Sequence, residues 1–340
     1  MRIPTLAMIA FAAAFASNVL NGAADAAAQQ QPATTAADAI NSAHLEPADA
    51  RAASTEGPAA ERQPDPRIVR TQILLDRAGA SPGVIDGFDG DNVRKAIMAF
   101  EAMHGLPVDG VLDDEVIDAL DTGGLVIGHY AVAPEDIAAI VPPIPADYAE
   151  KAKRDFLGYE SVAEEVAERF HMDVDLLEAL NPGVAYKAGD TIAVAAFGPN
   201  RTGRVARIEA DKSLRQVRAY DASGQLLVAY PATIGSSEAP SPTGTHAVEG
   251  VAAMPEYTYN PDVNFQQGDN TEVLTIPPGP NGPVGTIWID LSKPTYGIHG
   301  TPEPSLIDKV VSHGCVRLTN WDAEELAQMV EPGVTVEFLD

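Results

Sequence analysis

The 340-residue chain sets 22 Lys and Arg against 49 Asp and Glu, a formal net charge of -27 at pH 7. Nucleic acids and anionic membranes are held by clustered cations, so this balance excludes them as partners. The length exceeds one ordinary domain and predicts two or three folded units.

Residues 1–28 place Arg2 ahead of an apolar stretch at 6–16 and small residues through Ala28, the pattern of a signal peptide. The apolar run is short for a membrane span and no second one follows. Cleavage, export to the periplasm or cell wall, and a mature protein without a membrane span are therefore expected. Lipid attachment would need a cysteine near the cleavage site, and the single cysteine of the chain is Cys315. Residues 29–64, rich in Ala, Gln, Thr, Pro and Glu, offer too little apolar surface to offset ordering entropy and read as a disordered linker.

Between 65 and 125 the period becomes helical. Ile68, Ile73, Leu74 and Leu75 predict a first helix, Val93, Ala96, Ile97 and Phe100 a second, and Val116, Ile117 and Leu120 a third. Two turns, Asp86-Gly87-Phe88-Asp89-Gly90 and Gly105-Leu106-Pro107-Val108-Asp109-Gly110, repeat an Asp-Gly element that supplies positive-φ positions. These residues resemble the small three-helix peptidoglycan-binding domain, with Glu101 standing where that family usually has Gln.

The Pro- and Ala-rich stretch within 126–155 reads as a second linker. In 156–198, Val162, Val166, Ala167 and Phe170 form one helical stripe and Leu176, Leu177 and Leu180 another. Asn181-Pro182-Gly183 breaks the pattern before a strand at Asp190-Thr191-Ile192-Ala193-Val194. This segment resembles a LysM module, a βααβ glycan-binding unit, with Gly158-Tyr159-Glu160-Ser161-Val162 in place of the usual opening signature.

From 202 to 340 the period shifts to two. Val205, Ile208, Val217, Ala219 and Tyr220, then Leu226, Leu227, Val228 and Tyr230, flank a hairpin signal at Asp221-Ala222-Ser223-Gly224. Further strands are predicted at 245–251, 284–289 and 334–339. A late helix is predicted with Asn320 as N-cap, Asp322, Glu324 and Glu325 in its first turn, and Pro332-Gly333 after its end.

The chemistry gathers in Tyr296-Gly297-Ile298-His299-Gly300-Thr301 and Ser312-His313-Gly314-Cys315-Val316-Arg317-Leu318-Thr319-Asn320. A cysteine that attacks as thiolate uses a neighbouring imidazole to lower its pKa and later to return a proton. Flanking glycines let the backbone turn sharply and present N–H groups to an oxyanion. On residue types alone three readings stand: acyl transfer by a Cys-His pair, a metal site from His299, His313 and Cys315 that lacks a fourth ligand, or structural histidines around a buried thiol.

His-Gly-Thr followed by Ser-His-Gly-Cys-Val-Arg-Leu, with Ser241-Pro242-Thr243-Gly244-Thr245 upstream, resembles the YkuD-type L,D-transpeptidase domain over 204–340. The architecture so read is multidomain α+β: a three-helix peptidoglycan-binding-like domain, a LysM-like βααβ module and a β-rich, sandwich-like catalytic domain. The resemblance implies Cys315 as nucleophile on the stem-peptide carbonyl and His299 as base, its ring oriented by a carbonyl such as that of Gly300. Backbone amides at His313, Gly314 and Cys315 would form the oxyanion hole. It further implies a 3-3 cross-link between meso-diaminopimelate residues with release of D-alanine, or trimming, cleavage or protein attachment through the same thioester. No metal or cofactor is implied, and the partners are peptidoglycan stem peptides and glycan. His313 is expected to order its loop. Arg317 suits a substrate carboxylate or a structural salt bridge, and Trp288 and Tyr296 suit a core or groove wall. A non-catalytic wall-binding protein is the rival from another class.

Overall fold

The computed structural model describes residues 34–47, 63–236, 239–263, 265–312 and 314–340. The signal-peptide pattern and much of the stretch read as the first linker lie outside the described residues. Where that stretch is described it corrects the reading, because Thr34–Asn41 forms helix α1. Ala37 and Ile40 enter a core built mostly by later segments, so two apolar residues three apart order a composition that looks disordered alone. The Asn41 side chain accepts hydrogen bonds from the Val126 and Ile127 amides at 2.9 and 2.8 Å.

Helices α2 (Pro66–Arg77), α3 (Asp91–His104) and α4 (Asp114–Leu120) follow the predicted stripes. Local chemistry explains their limits. The Asp65 carboxylate accepts from the Arg67 amide at 2.8 Å and that of Asp113 from Val116 at 2.9 Å, while Gly105 ends α3 at φ +68°. The repeated Asp-Gly turns share one device. Gln72 accepts from the Asp86 and Gly87 amides at 3.1 and 2.8 Å, and Glu101 accepts from Asp109 and Gly110 at 3.0 and 2.9 Å.

Each buried side chain thus clasps the loop that follows its helix. Glu101 occupies itself internally, and Gln offers the same accepting oxygen. Glu101→Gln is expected to change stability by less than about 1 kcal/mol, whereas Glu101→Ala, which strands two amides, should cost about 2–4 kcal/mol. Denaturant midpoints measure both; equal losses would sink the clasp.

The stretch 126–155 is not a plain linker. It contains strand β1 (Ile127–Ala131), helix α5 (Pro134–Ala138) and helix α6 (Tyr148–Lys151). Pro134 lies in the first turn of α5, where its missing N–H is harmless. The buried Asp136 carboxylate accepts from Tyr130 Oη at 2.6 Å and the Ala133 amide at 2.8 Å, and pairs with Arg169 at 3.0 Å. Helices α7 (Val162–Arg169) and α8 (Val174–Leu180) and strand β2 (Thr191–Ala195) follow. Strand β2 pairs antiparallel with β1, Ile127 opposite Ala195 and Ala131 opposite Thr191. The opening strand of this βααβ arrangement therefore lies some thirty residues before the 158–162 segment expected to supply it, and residues 132–161 are an excursion from the motif. Asn181 joins the end of α8 to β2, donating to Leu177 O and Ala193 O and accepting from the Ala193 amide at 2.7 Å.

The remaining strands are β3 (Arg207–Asp211), β4 (Gln216–Tyr220), β5 (Leu226–Pro231), β6 (Thr233–Ile234), β7 (Gly244–Ala253), β8 (Tyr257–Tyr259), β9 (Leu274–Ile276), β10 (Ile287–Leu291), β11 (Gly297–His299), β12 (Val316–Arg317) and, after helix α9 (Asn320–Met329), β13 (Thr335–Leu339). Nine of them form a single sheet in the order β5-β4-β3-β13-β7-β10-β11-β12-β6. Only Ala232 separates β5 from β6 in the chain, so the two ends of the sheet curl toward each other. This corrects the sandwich-like expectation: alternation reports which face is buried, not whether the cover is a second sheet or the same sheet bent round. Helix α9 fills the enclosed space with Ala323, Leu326 and Met329. Its N-cap is Thr319, whose hydroxyl accepts from the Asp322 amide at 3.1 Å, rather than Asn320.

The described residues form one compact unit. The Ser81 and Ala229 amides donate to Ala229 O and Gly79 O, each at 2.9 Å, so backbone beyond α2 extends the β5 edge. Leu226 and Ala229 share a core with α2, α3, α7 and α8. Lys95 on α3 and Arg215 both pair with the buried Asp308. The hairpin β8–β9 packs through Tyr259 and Ile276 against Leu157 and Tyr148 of the excursion.

Candidate active site

Strands β11 and β12 lie side by side and parallel, with Ile298 opposite Val316 and His299 opposite Arg317. Cys315 immediately precedes β12. His299, Cys315 and Arg317 line one cavity of about 120 Å³, together with Trp288, Tyr296 and Tyr148.

His299 is 4% exposed, and its Nδ1 lies 2.7 Å from Gly300 O. A carbonyl only accepts, so Nδ1 carries the proton and Nε2 is the free base. The indole of Trp288 stacks on the imidazole at 5.5 Å between centroids and 18° between planes. Burial, reinforced by the Arg317 charge and opposed by the Gly300 hydrogen bond, pushes the imidazole pKa down to about 3. Burial also pushes the Cys315 thiol up, against the Gly297 backbone and the Arg317 charge. The expected lowering of the thiol pKa is therefore absent, and the resting pair is neutral thiol and neutral imidazole.

The loop carrying the thiol is shaped by Ser312, 1% exposed. Its hydroxyl donates to Cys315 O at 2.6 Å and accepts from the Gly235 amide at 2.7 Å and, more loosely, the Gly314 amide at 3.3 Å. Gly314 has φ +109° and a Cβ there would lie 2.9 Å from the Tyr296 ring, so only glycine fits. His313 lies outside the described residues, so its expected part in the loop, the oxyanion hole or a metal site is not placed. Among the described residues no group of three His, Cys, Asp or Glu is arranged to hold a metal ion. Thr295, whose carbonyl lies 3.8 Å from Cys315 Sγ, sits at φ +74°, a strained conformation for a β-branched residue and one that clusters at functional sites.

Arg317 is half-buried and makes no salt bridge or side-chain hydrogen bond among the described residues. Its charge acts on His299, Cys315, Tyr148 and Tyr257.

Sequence reasoning missed Asn320, which it read as a cap. Its Oδ1 accepts from the Thr286 and Thr301 amides at 3.2 and 3.1 Å, and its Nδ2 donates to Glu168 at 2.9 Å and Pro280 O at 3.3 Å. A Cβ on Gly300 would lie 2.2 Å from that Oδ1. One amide thus fixes the turn after His299 and joins it to α7. Burial pushes the Glu168 carboxyl from 4.5 up to about 8, with Glu164 and Glu324 adding repulsion and the Asn320 and Tyr159 hydrogen bonds opposing it.

Between those values the folded chain holds a proton that the unfolded chain has released, so this group's contribution falls as pH rises through the window. Glu168→Gln is expected to raise the denaturant midpoint at pH 8.5 and leave it nearly unchanged at pH 4. An equal shift at both would rule the linkage out.

The model for the L,D-transpeptidase catalytic domain, YkuD, matches residues 206–338, and a model described as "Putative peptidoglycan binding domain" matches residues 64–120. A Bacillus licheniformis protein named "Putative L,D-transpeptidase YkuD" is 32% identical over 176 residues, 51% of this chain and 90% of that protein. "Probable L,D-transpeptidase YbiS" of Escherichia coli is 32% identical over 36% of this chain and 40% of its own length. Among solved structures, an L,D-transpeptidase from Xylanimonas cellulosilytica aligns with 83% of this chain and 100% of that one at 18% identity and a TM-score of 0.36. Kinship rests on the sequence matches. No helix among the described residues is long and apolar enough to cross a membrane. With both family models and a relative matched over nine-tenths of its length, the chain belongs to the YkuD-type L,D-transpeptidases, cysteine acyltransferases, and carries a peptidoglycan-binding domain ahead of its catalytic sheet.

Proposed function

We propose that the protein is an exported enzyme of the cell wall or periplasm that forms 3-3 cross-links between meso-diaminopimelate residues of peptidoglycan stems. The observation that carries the reading is the His299 imidazole, held with Nε2 free by Gly300 in the same cavity as Cys315. Cys315 attacks the carbonyl of the third stem residue as its proton passes to His299 Nε2. The C–N bond to the terminal D-alanine breaks, that proton goes to the departing amine, and a thioester remains. The side-chain amine of a second stem then attacks the thioester, forming the new amide and returning a proton to the thiol through the same imidazole.

Because the resting pair is neutral, proton transfer accompanies attack rather than preceding it. The Cys315 amide is one oxyanion donor, with those of Gly314, which leans loosely on Ser312, and His313 beside it. The βααβ arrangement is a LysM-like glycan-binding module, and with the three-helix domain it holds the enzyme on its polymer.

Incubation with purified disaccharide tetrapeptide, followed by mass spectrometry, tests the reading. Dimers with loss of D-alanine are expected. Tripeptide alone would replace it with trimming by water, and unchanged tetrapeptide would overturn it.

A further inference from the structure

Beside the small cavity at Cys315, and sharing Tyr148, Pro283 and Arg317 with it, opens a second cavity of about 500 Å³. Its lining is charged with both signs: Lys151 and Arg317, and Glu160, Glu164 and Glu303. Two of the carboxylates are already engaged. Glu160 accepts from the Ile144 amide at 2.5 Å, and Glu164 accepts from the Glu160 amide at 2.7 Å and Asn281 Nδ2 at 2.5 Å. Lys151, Arg317 and the Glu303 carboxylate make no salt bridge or side-chain hydrogen bond among the described residues.

Lys151 is half-buried beneath that cavity, with its ammonium 5.7 Å from the Tyr148 ring centroid. Burial pushes its pKa down, and Glu303 and Glu160 only partly oppose this. A desolvated ammonium and a guanidinium that no carboxylate of the described residues contacts are costly in an apo protein, and a ligand that brings a carboxylate to both recovers that cost. A purely anionic ligand would meet the three carboxylates, and a purely cationic one the two cations. A ligand carrying both charges satisfies the set.

We propose that this cavity is a subsite for a zwitterionic amino-acid end, a carbon bearing both an ammonium and a carboxylate, with Lys151 and Arg317 on the carboxylate and Glu303 on the ammonium. Resting on the reading of Cys315 as an acyl-transfer centre for stem peptides, it assigns the subsite to the distal end of the substrate's diamino diacid. Lys151 and Tyr148 belong to the excursion between β1 and α7, outside the matched catalytic domain of 206–338. Specificity at the thiol is thus set in part by a segment of the neighbouring module.

Binding calorimetry on the full chain carrying Cys315→Ala separates recognition from chemistry. Two probes are titrated: disaccharide tetrapeptide with its distal carboxylate free, and the same compound with that carboxylate as a carboxamide. Amidation is expected to weaken binding about 10-fold or more, as loss of a charge-assisted pair does. Adding Lys151→Gln should shrink the ratio of the two dissociation constants several-fold, Arg317 keeping the remainder, and Lys151→Arg should restore it, which excludes misfolding as the cause. The same ratio with and without the Lys151 ammonium, or no discrimination in the parent, overturns the subsite. Turnover by the wild-type enzyme is read separately. Charge-dependent binding without turnover removes the reaction and leaves the subsite, and turnover with charge-blind binding does the reverse.

Discussion

Cys315→Ala is expected to abolish both acyl-enzyme and product, a loss of at least ~10⁴-fold, because no other group can form the thioester. Intact-protein mass spectrometry after mixing with tetrapeptide should show the wild-type chain heavier by the acylated stem and the variant unchanged. The fold should tolerate the change. Cys315 stands just before the start of a strand, and the loop around it is held by Ser312, whose bond to Cys315 uses the backbone carbonyl. Retained turnover would remove the thiol from the mechanism, whatever the family.

His299→Gln should lower kcat by about 10²- to 10⁴-fold, the usual worth of a positioned base, with a smaller change in KM. The wild-type pH profile is the more discriminating measurement. A depressed imidazole pKa means that the folded protein stays unprotonated between 6.5 and about 3, so kcat/KM should run flat through pH 6.5 instead of falling there. For stability the sign follows from the same window. The unfolded chain gains a proton at this position as pH drops below 6.5 and the folded chain does not, so the folded state loses ground toward acid. His299→Gln removes that slope. An inflection at 6.5 in the wild-type rate profile would show an imidazole in contact with water and contradict its burial against Trp288.

The readability of the chain divides along physical lines. Helices α2, α3 and α4 were legible because their stripes, caps and Asp-Gly turns are local signals separated by a few residues. The nearness of His299 to Cys315 was legible from two short glycine-flanked segments, and both line one cavity, His299 at the end of β11 and Cys315 just before β12. Strand β1 was not. Its five residues precede Pro134, and its partner lies beyond an excursion and two helices, so the pattern that defines it is a long-range pairing. Helix α1 was hidden for a related reason: its two core residues meet apolar partners supplied by distant segments. Asn320 looked like a cap because an Asn before acidic residues usually is one, and its contacts with the 286, 301 and 168 positions appear only once the sheet has curled. The motif spacing put histidines near the thiol, but not the burial around them, and it was burial that reversed the expected direction of the cysteine's pKa.

The excursion of residues 132–161 bears on how such a protein can be inherited. Modules joined by flexible tethers can be swapped, duplicated or lost, because each carries its whole surface with it. Here Tyr148 closes one side of the thiol's cavity, Leu157 completes the core of the β8–β9 hairpin, and the Asn320 amide reaches across to Glu168. Excising the catalytic sheet at its family boundary would leave an open cleft and a bare apolar face. The catalytic sheet and the segment ahead of it therefore share packing, and a recombination breakpoint between them would disrupt the thiol's cavity and the core of the β8–β9 hairpin.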